Sequence, residues 1–600
     1  MPLPVNPLSR RSFLAGSSAA AIAFPHLQLV PKAGAAAVPA GAPSLRYVPH
    51  TTPLPIPGRL APTTLNPAPG TPAAAVGSAA VYHGIAPEYQ LGHPAGVRER
   101  ARYPEKHYRL ELRDTTHQWI PGVDTPALGY NGLVPGPLLR ARVGEPAVVR
   151  VTNQADVEAS LHLHGGHNPA HADGHPCFYI FPGRSRDYYY PFALPLRGDG
   201  QPDAEHAPST LWYHDHGNDV TARNVIHGLA GVCLVTDEIE ERLIADRVLP
   251  PIDGPGGAPS AYDIPLALID QAFNRDGSLR WDPLDFDGRI GDVPTVNGVA
   301  QPFLAVERRK YRFRLVCSSL ARVYHLRIVR GGTAVPFLQI ANDAFLLPQA
   351  EPVSSVEFVP GNRADIIVDF SAFPAGTELY LQNIMEQTNG RKPKGVDARA
   401  AVNLLKFVVG GGLVPNDVTV AAGTPLRPFT PLLASEATAT RRWSFERRKG
   451  AWMINEDFWS PYRSQATPVL GAVERWIFEN KSGGWWHPAH AHLEGHQIIA
   501  INGRPPPRTL RYLSDTSPLA DGMTIEVLMH LRTYTGPFVM HCHNNNHEDM
   551  RMMVQFETVA RDAGTGRPRP SLFNGRTFSI PAEISGIPAA DVAAHPELFT

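Results

Sequence analysis

Residues 541–552 constrain this chain more than any other stretch, because they place several metal-binding side chains close together. The thiolate of Cys542, the imidazole of His547 and the thioether of Met552 can close on one metal ion. Two imidazoles and a thiolate with a weak axial methionine form the ligand set of blue copper electron-transfer sites. The stretch therefore predicts such a site. Its second imidazole must come from elsewhere, and His487 is the best candidate.

The two histidines beside Cys542 predict a second metal centre. In an extended chain successive side chains point to opposite faces, so His541 and His543 point away from Cys542. They are placed to bind metal on the far side of the strand, and Cys542 would be the port through which electrons reach them. Taken alone, the stretch is also compatible with a buried free cysteine in a histidine-rich loop.

Three further histidine clusters argue against that alternative. They are His162-Leu163-His164, His214-Asp215-His216 and His487-Pro488-Ala489-His490-Ala491-His492. Alternation along a strand places both histidines of the first cluster on one face. Imidazole ligands suit copper, and a cysteine thiolate selects it further. Zinc is the alternative metal, but four motifs exceed the needs of one tetrahedral zinc site.

The four motifs, in this order, resemble the pattern of the multicopper oxidases. Residues 211–216, 479–488 and 536–543 are most similar to the branch of spore-coat laccases and bilirubin oxidases. The resemblance runs from about Tyr108 to about Val559. It implies an all-β fold of three cupredoxin-like Greek-key β-barrel domains. It also implies four copper ions: one type 1, one type 2 and two type 3.

The resemblance further implies which residues bind each copper. The type 1 (blue) site would be formed by His487, Cys542, His547 and Met552, with Met553 as the substitute axial ligand. The type 2 copper would be bound by His162 and His490. The coupled type 3 coppers would be bound by His164, His214 and His543, and by His216, His492 and His541. The three-copper cluster would then lie between the first and third domains.

Two carboxylates are candidates for delivering the protons that dioxygen reduction consumes. Glu548 follows the ligand His547, and Asp173 lies in an Ala-Asp-Gly loop after the first motif. Both match positions that carry proton-relay acids in the resembled branch. Burial or a neighbouring charge can bring the pKa of such an acid toward the working pH. The alternatives are a solvated acid at the start of a helix for Glu548 and a plain Asp-Gly turn for Asp173.

For two other sets of histidines and cysteines, the sequence allows two interpretations each. His167, His171 and His175 follow the first motif, and they either bind another metal or form a polar loop. The loop is favoured because the family needs no ligands there. Cys177, Cys233 and Cys317 can supply one disulfide in an exported protein, or they can stay buried and unpaired.

Short β-type segments bounded by turn residues predict three domains. Domain boundaries are predicted at 106–248, 260–415 and 418–560, with a Pro- and Gly-rich linker at 249–259. The middle block carries no histidine or cysteine cluster, which predicts a structural spacer.

Both ends of the chain lie outside these domains. Residues 9–14 form a twin-arginine pattern before a short apolar run, so 1–37 is predicted to be an export signal. The folded protein would then reach the periplasm or the medium; a disordered basic tail is the alternative. Residues 38–105, rich in Pro and Ala, are predicted to be an extended arm, and 561–600 a tail of surface coil. No other long apolar stretch occurs, so no membrane span is expected in the mature protein.

Composition narrows the classes of molecule that the protein is expected to bind. The net charge of −1 gives no basic footprint for nucleic acid, and a hydrophobic content of 43% suits a soluble globular protein. We expect a monomer that acts on a small-molecule reductant and dioxygen.

The function predicted from these features is a laccase-like oxidase. It would take electrons from phenols, aromatic amines or bilirubin-like compounds and reduce dioxygen to water. An oxidase of manganese or copper ions is the alternative within enzymes, although nine methionines with no Met-rich insert argue against a cuprous-ion oxidase. A copper-free structural protein of the cell envelope is the alternative from another class, but such a protein would be expected to have lost ligands.

Overall fold

A computed structural model describes residues 45–69, 81–82, 101–571 and 587–599. The predicted export signal lies outside the described residues. The described chain is built mostly of strands that form three pairs of sheets, and the prediction of an all-β fold is confirmed. No helix in the described ranges is long and apolar enough to cross a membrane.

The first domain packs two sheets face to face, joined in the orders β1-β7-β5-β2-β3 and β4-β9-β8-β6. Its strands are β1 (Val81–Tyr82), β2 (Lys106–His117), β3 (Thr125–Tyr130), β4 (Gly136–Arg142), β5 (Ala147–Asn153), β6 (Leu161–His164), β7 (Ser185–Tyr190), β8 (Thr210–Asp215) and β9 (Ala230–Thr236). Along β2, Tyr108, Leu110 and Leu112 are buried and alternate with more exposed residues, so one face of the strand enters the core. Helices α1 (Thr221–Ile226) and α2 (Glu238–Ala245) follow β8 and β9.

The second domain has the larger pair of sheets, joined in the orders β12-β11-β10-β14-β20-β17-β18 and β13-β24-β21-β15-β16, with β19 also on β15. Its strands are β10 (Asp263–Gln271), β11 (Val293–Val296), β12 (Val299–Ala300), β13 (Phe303–Arg308), β14 (Lys310–Cys317), β15 (Tyr324–Arg330), β16 (Thr333–Val335), β17 (Phe337–Asn342), β18 (Phe345–Val353), β19 (Val356–Phe358), β20 (Arg363–Asp369), β21 (Glu378–Asn383) and β24 (Val402–Leu413). Between β21 and β24 in the chain, β22 (Met385–Glu386) and β23 (Gly395–Val396) form a small separate hairpin.

The third domain pairs the sheets β26-β25-β27-β32-β29-β30 and β31-β28-β33-β34. Its strands are β25 (Ala437–Arg448), β26 (Ala451–Ile454), β27 (Val473–Asn480), β28 (His487–Ala491), β29 (His496–Ile501), β30 (Leu513–Ser514), β31 (Thr516–Leu519), β32 (Thr524–His530), β33 (Gly536–Cys542) and β34 (Met553–Thr558). The one-turn helix α3 (Asn545–Glu548) connects β33 to β34, and α4 (Ala589–Ala594) lies near the C-terminus.

Short 3-10 turns complete the described elements. They are Ala170–Ala172, Ala204–His206, Pro255–Gly257, Ala398–Ala400, Ala434–Glu436, Arg508–Leu510 and Pro596–Phe599.

A buried ionic cluster joins the first domain to the second. Arg312 and Arg314 on β14 both contact Glu240 of α2, at 2.6 and 3.0 Å. Asp263 and Asp365 of the second domain complete the cluster, and all five side chains are fully buried. Removing one member would leave a buried charge uncompensated, so this contact holds the two domains in one arrangement.

The predicted arm and tail both pack on the body where they are described. Leu54 of the arm joins the core of the second domain, and Leu60 and Thr63 donate backbone hydrogen bonds to the first. In the tail, Ile587 and Leu598 are buried against Phe178 and Trp459, among others. Residues 587–599 therefore differ from the predicted surface coil, because they form a helix and a 3-10 turn and bury two apolar side chains.

The three cysteines outside the predicted copper site are all buried, and the structure forms no disulfide among them. Cys177 precedes β7, whereas Cys233 lies in β9 and Cys317 in β14, two different sandwiches. Of the two alternatives, the structure supports buried thiols that pack as small apolar groups.

Candidate metal centre

Pairing of β6 with β8 brings the first two histidine clusters together. The antiparallel register places His162 opposite His214 and His164 opposite Trp212. The four histidines of these clusters are buried, so neighbouring strands of one sheet present a dense group of imidazoles.

Pairing of β28 with β33 brings the last two histidine clusters together. Here His490 lies opposite His541, and Ala489 opposite Cys542. Because side chains alternate along β33, Cys542 turns to the core of the third domain while His541 turns toward the first domain.

His487, Cys542 and His547 converge on one point. Nδ1 of His487 lies 3.3 Å from Sγ of Cys542, and Nδ1 of His547 lies 3.7 Å from the same sulfur. The two Nδ1 atoms are 3.2 Å apart. The structure thus brings together the sulfur and the two imidazoles that the sequence predicts for a blue copper site.

Met552 packs in the same buried cluster as Cys542. Both side chains belong to the core of the third domain, whereas Met553 packs with Phe178 and Trp459 in a separate cluster. The backbone N–H of Cys542 also donates to the carbonyl of Met552 at 3.1 Å. Of the two methionines, the fold therefore favours Met552 as the axial ligand.

The outer nitrogens of the two blue-site histidines are held by neutral oxygens. Nε2 of His487 lies 2.9 Å from Oγ of Ser482, and Nε2 of His547 donates to the carbonyl of Asp287 at 3.2 Å. A donor role for Nε2 leaves Nδ1 as the lone-pair nitrogen, which is the atom that faces the sulfur. Asp287 belongs to the second domain, which therefore takes part in the site.

The remaining eight histidines form three groups between the first and third domains. The groups are His162, His164 and His490; His164, His214 and His543; and His216, His492 and His541. In the third group, Nε2 of His541 lies 3.1 Å from that of His216 and 3.3 Å from that of His492. Nε2 of His162 lies 3.4 Å from that of His490. Each group can hold one metal ion.

Backbone carbonyls fix the tautomer of several of these imidazoles. Nδ1 of His490 donates to the carbonyl of Asp515 at 2.8 Å, and Nδ1 of His214 to that of Asp215 at 2.8 Å. Nδ1 of His162 does the same with the carbonyl of Asp173. Nε2 is then the lone-pair nitrogen in each ring.

His164 has the opposite arrangement. Its Nε2 lies 3.1 Å from Oδ1 of Asp515, and its Nδ1 is buried with no hydrogen-bond partner. Arg363 of the second domain donates from Nη1 to the same carboxylate at 2.7 Å. His164 therefore offers Nδ1, where its neighbours offer Nε2.

The donor atoms fit copper. Nδ1 of His164, Nε2 of His214 and both ring nitrogens of His543 are buried without a hydrogen-bond partner, which is costly unless another group satisfies them. Burial lowers the pKa of all three imidazoles below the ordinary value, so the rings are neutral and each can donate a lone pair to a metal ion. Burial also raises the pKa of the Cys542 thiol, so a bound metal is needed to stabilise its thiolate.

Both candidate acids touch the histidine groups. Oδ2 of Asp173 accepts from Nδ1 of His492 at 2.6 Å, and Oδ1 of Asp173 has no partner. Glu548 Oε2 lies 3.3 Å from Nδ1 of His541, and Oε1, also without a hydrogen-bond partner, lies 3.6 Å from Nε2 of His216. Both acids are buried, so neither the solvated-acid nor the plain-turn alternative describes them.

The pKa values of the two acids move in opposite directions. Burial raises the pKa of Asp173 well above its ordinary value. Burial alone would also raise the pKa of Glu548, but the adjacent His541 and His216 outweigh it and hold that pKa well below its ordinary value. A pair of acids with pKa values pushed apart can divide the roles of proton donor and acceptor.

The loop histidines belong to a polar loop. Nε2 of His175 lies 2.9 Å from Oε1 of Gln555, and Nδ1 of His167 lies 3.1 Å from the carbonyl of Leu493. Within the described ranges, no group of converging ligand atoms includes His167, His171 or His175.

Sequence patterns missed the residues that hold the ligands in place. Arg363, Asp515, Asp287 and Ser482 lie in no histidine motif, and two of them come from the domain predicted to be a spacer. The only signal available for Asp515 was its position before a short run of Thr and Ser, which does not single it out.

Three sandwich domains that enclose a His–Cys–His group and three histidine groups define a copper-dependent oxidoreductase. Family models described as multicopper oxidase match residues 111–240 and 431–562. A bilirubin oxidase from Albifimbria verrucaria is 30% identical over 491 residues, covering 80% of this chain and 79% of the relative. The chain belongs to the multicopper oxidase family, and its copper ions are one type 1, one type 2 and two type 3.

Two further similarities agree with this. A laccase from Bacillus stratosphericus is 30% identical over 492 residues, covering 72% of this chain and 90% of the relative. The crystal structure of the McoA multicopper oxidase from Aquifex aeolicus has a TM-score of 0.65 at 26% identity, covering 75% of this chain and 96% of that chain. The resemblance stated from the motifs is confirmed at the level of family and branch.

Proposed function

We propose that the protein oxidises phenolic, aromatic amine or bilirubin-like compounds one electron at a time and reduces dioxygen to water. The supporting observation is the position of Cys542. Its sulfur belongs to the His–Cys–His group, while its chain neighbours His541 and His543 belong to two of the histidine groups. One strand end would thus connect the place where electrons enter to the place where dioxygen binds.

His487, Cys542, His547 and Met552 would hold the type 1 copper, and His162 and His490 the type 2 copper. His164, His214 and His543 would hold one type 3 copper, and His216, His492 and His541 the other. When bound, the coppers supply the one-electron acceptor and the four-electron store that dioxygen reduction requires.

The protein itself keeps the two centres dry and rigid. The ligand side chains are almost completely buried, and most of their outer nitrogens are held by carbonyl, hydroxyl or carboxylate oxygens. Such outer contacts fix ring orientation before metal binding, which lowers the reorganisation that each turnover needs.

Asp173 and Glu548 are the groups we propose to handle protons. The unpartnered Oδ1 of Asp173 can carry a proton while Oδ2 keeps its hydrogen bond to His492. The unpartnered Oε1 of Glu548 can accept one beside His216. Histidines bound to metal cannot take this role, since their lone pairs are occupied.

Oxygen uptake with a panel of reductants tests the proposed function. The relatives named bilirubin oxidase and laccase guide the panel, which contains a methoxyphenol, an aromatic diamine, bilirubin and Mn(II). We expect uptake with the organic compounds and one dioxygen consumed per four electrons. Uptake with Mn(II) alone would contradict the proposal and favour a metal-ion oxidase.

We further propose that the protein is exported in folded form by the twin-arginine route. The pattern at 9–14 supports this, as does the need to bind several copper ions in a folded chain. Replacing Arg10 and Arg11 by Lys should retain the protein in the cytoplasm, as measured by cell fractionation. Normal export of that variant would refute the proposal.

A further inference from the structure

Arg391 lies exposed in the turn of the β22–β23 hairpin. Its guanidinium carbon lies 4.2 Å from the ring centroid of Trp485. The indole is only 4% exposed, so the guanidinium covers it and stands between the ring and solvent. This contact holds the long side chain in one place, which reduces the entropy lost when a ligand binds it.

The charge of Arg391 is not matched by a carboxylate. The two other cations of the turn each have one, Lys392 with Asp521 at 2.8 Å and Lys394 with Glu386 at 2.6 Å. Arg399, which lies in the 3-10 turn after β23, pairs with Asp397 at 2.8 Å. Arg447 also packs on Trp485, at 4.6 Å, but it pairs with Asp287. Over the described part of the chain, no carboxylate lies within ion-pair distance of Arg391, so its N–H groups face solvent.

Two chains of contacts lead from this turn to His547. The ring centroid of Trp485 lies 5.1 Å from that of Trp452, which lies 3.8 Å from that of His547. On the other path, Gly390 packs so closely on the carbonyl of Asp287 that a Cβ at this position would overlap it. That carbonyl accepts the hydrogen bond of His547 Nε2. A molecule seated on Arg391 is therefore near the predicted electron entry.

We propose that Arg391 binds the carboxylate of anionic aromatic reductants and thereby selects them over neutral ones. Arginine forms two parallel hydrogen bonds with a carboxylate, and the planar guanidinium also stacks on aromatic rings. Because the edge of His547 is capped by Asp287, a reductant docks on the hairpin turn rather than on the imidazole. This inference rests on the proposed function and names its preferred substrate class.

A matched pair of reductants tests the selection. Sinapate and its methyl ester carry the same oxidisable ring, and only sinapate has a carboxylate. In Arg391→Gln we expect the KM for sinapate to rise roughly fivefold, the value for an exposed charge-assisted pair, while the KM for the ester stays unchanged. Arg399→Gln, which removes the same charge from the 3-10 turn that follows β23, should leave both KM values unchanged. Copper content and blue absorbance verify that each variant is intact.

A binding measurement separates this inference from the proposed function. 3,4,5-Trimethoxycinnamate has the carboxylate but no oxidisable hydroxyl, so calorimetry on the copper-loaded enzyme measures its Kd without turnover. We expect the Kd to rise roughly fivefold in Arg391→Gln and to stay constant in Arg399→Gln. Equal effects of the two substitutions, or equal KM changes for acid and ester, would overturn the inference. Absence of oxidation with both sinapate and its ester would instead count against phenols in the proposed function, and the calorimetry would still decide the role of Arg391.

Discussion

Oδ1 of Asp515 lies 3.1 Å from Nε2 of His164, and both side chains are buried. This contact makes Nε2 the proton-bearing nitrogen and turns the lone pair of Nδ1 toward His214 and His543. Asp515 is itself held by Arg363, so the second domain orients a ligand of the cluster although it contributes none. Gly361 supports the same contact region, because a Cβ there would press on the rings of His543 and His164.

Asp515→Asn should remove about one copper ion per chain. An asparagine amide can donate to Nε2 of His164, which would place a proton on Nδ1 and cancel its lone pair. We expect the blue absorbance to remain and the magnetically coupled pair to be lost, as measured by metal analysis and electron paramagnetic resonance. Asp521→Asn, a surface control, should keep the full copper content. A fully loaded Asp515→Asn protein would show that Asp515 does not set the tautomer.

Cys542→Ser should abolish both the intense blue colour and the oxidase activity. The bond between a thiolate and copper produces the colour and is the route of electron entry, and a hydroxyl supplies neither. The three histidine groups do not include the sulfur, so the other coppers should largely persist. Visible absorption and metal analysis on the purified variant check this. A blue Cys542→Ser protein would exclude Cys542 as the ligand.

Met552→Leu should raise the reduction potential of the blue site and leave the protein folded and loaded with copper. A thioether donor stabilises the oxidised metal slightly, so its removal favours the reduced state. Met553→Leu is the matched control, since that side chain packs in the cluster of Phe178 and Trp459. Redox titration of both variants measures the two reduction potentials and decides which methionine is the axial ligand. A rise in Met553→Leu without one in Met552→Leu would reverse the assignment.

Glu548→Gln and Asp173→Asn should slow reoxidation by dioxygen by roughly a hundredfold, because each removes a positioned proton carrier. Anaerobic reduction of the blue site by substrate should stay nearly unchanged, since neither carboxylate belongs to the His–Cys–His group. Stopped-flow spectroscopy measures the two half-reactions separately. If both variants reoxidise as fast as the parent across the active pH range, these acids do not carry the protons.

Part of the grouping of the candidate ligands was predictable from the sequence, because strand alternation shows which histidines share a face. Their division among four coppers came from the resemblance and stays a prediction. His541 and His543 flank Cys542, and no packing detail is needed to see that they turn away from it. The strand segments were predictable for the same reason. The all-β class and the copper cofactor followed directly from these patterns.

Residues that act through tertiary contacts were not predictable. Arg363 and Asp515 are far apart in sequence, and charged residues are common, so neither stands out before the domains pack. The role of the middle domain was underestimated for this reason, as the Asp287 carbonyl on His547 shows. Likewise, Ile587 and Leu598 look like isolated apolar residues in the tail until they pack in the cluster that contains Phe178 and Trp459.

The division of each histidine group between the first and third domains has a consequence for biosynthesis. During translation the first domain emerges with only part of each histidine group, and the remaining histidines follow after the whole middle domain has been made. A partly synthesised chain therefore has no complete histidine group in which to trap a stray metal ion. Copper loading becomes a check that synthesis has reached the last strands and that all three domains have docked.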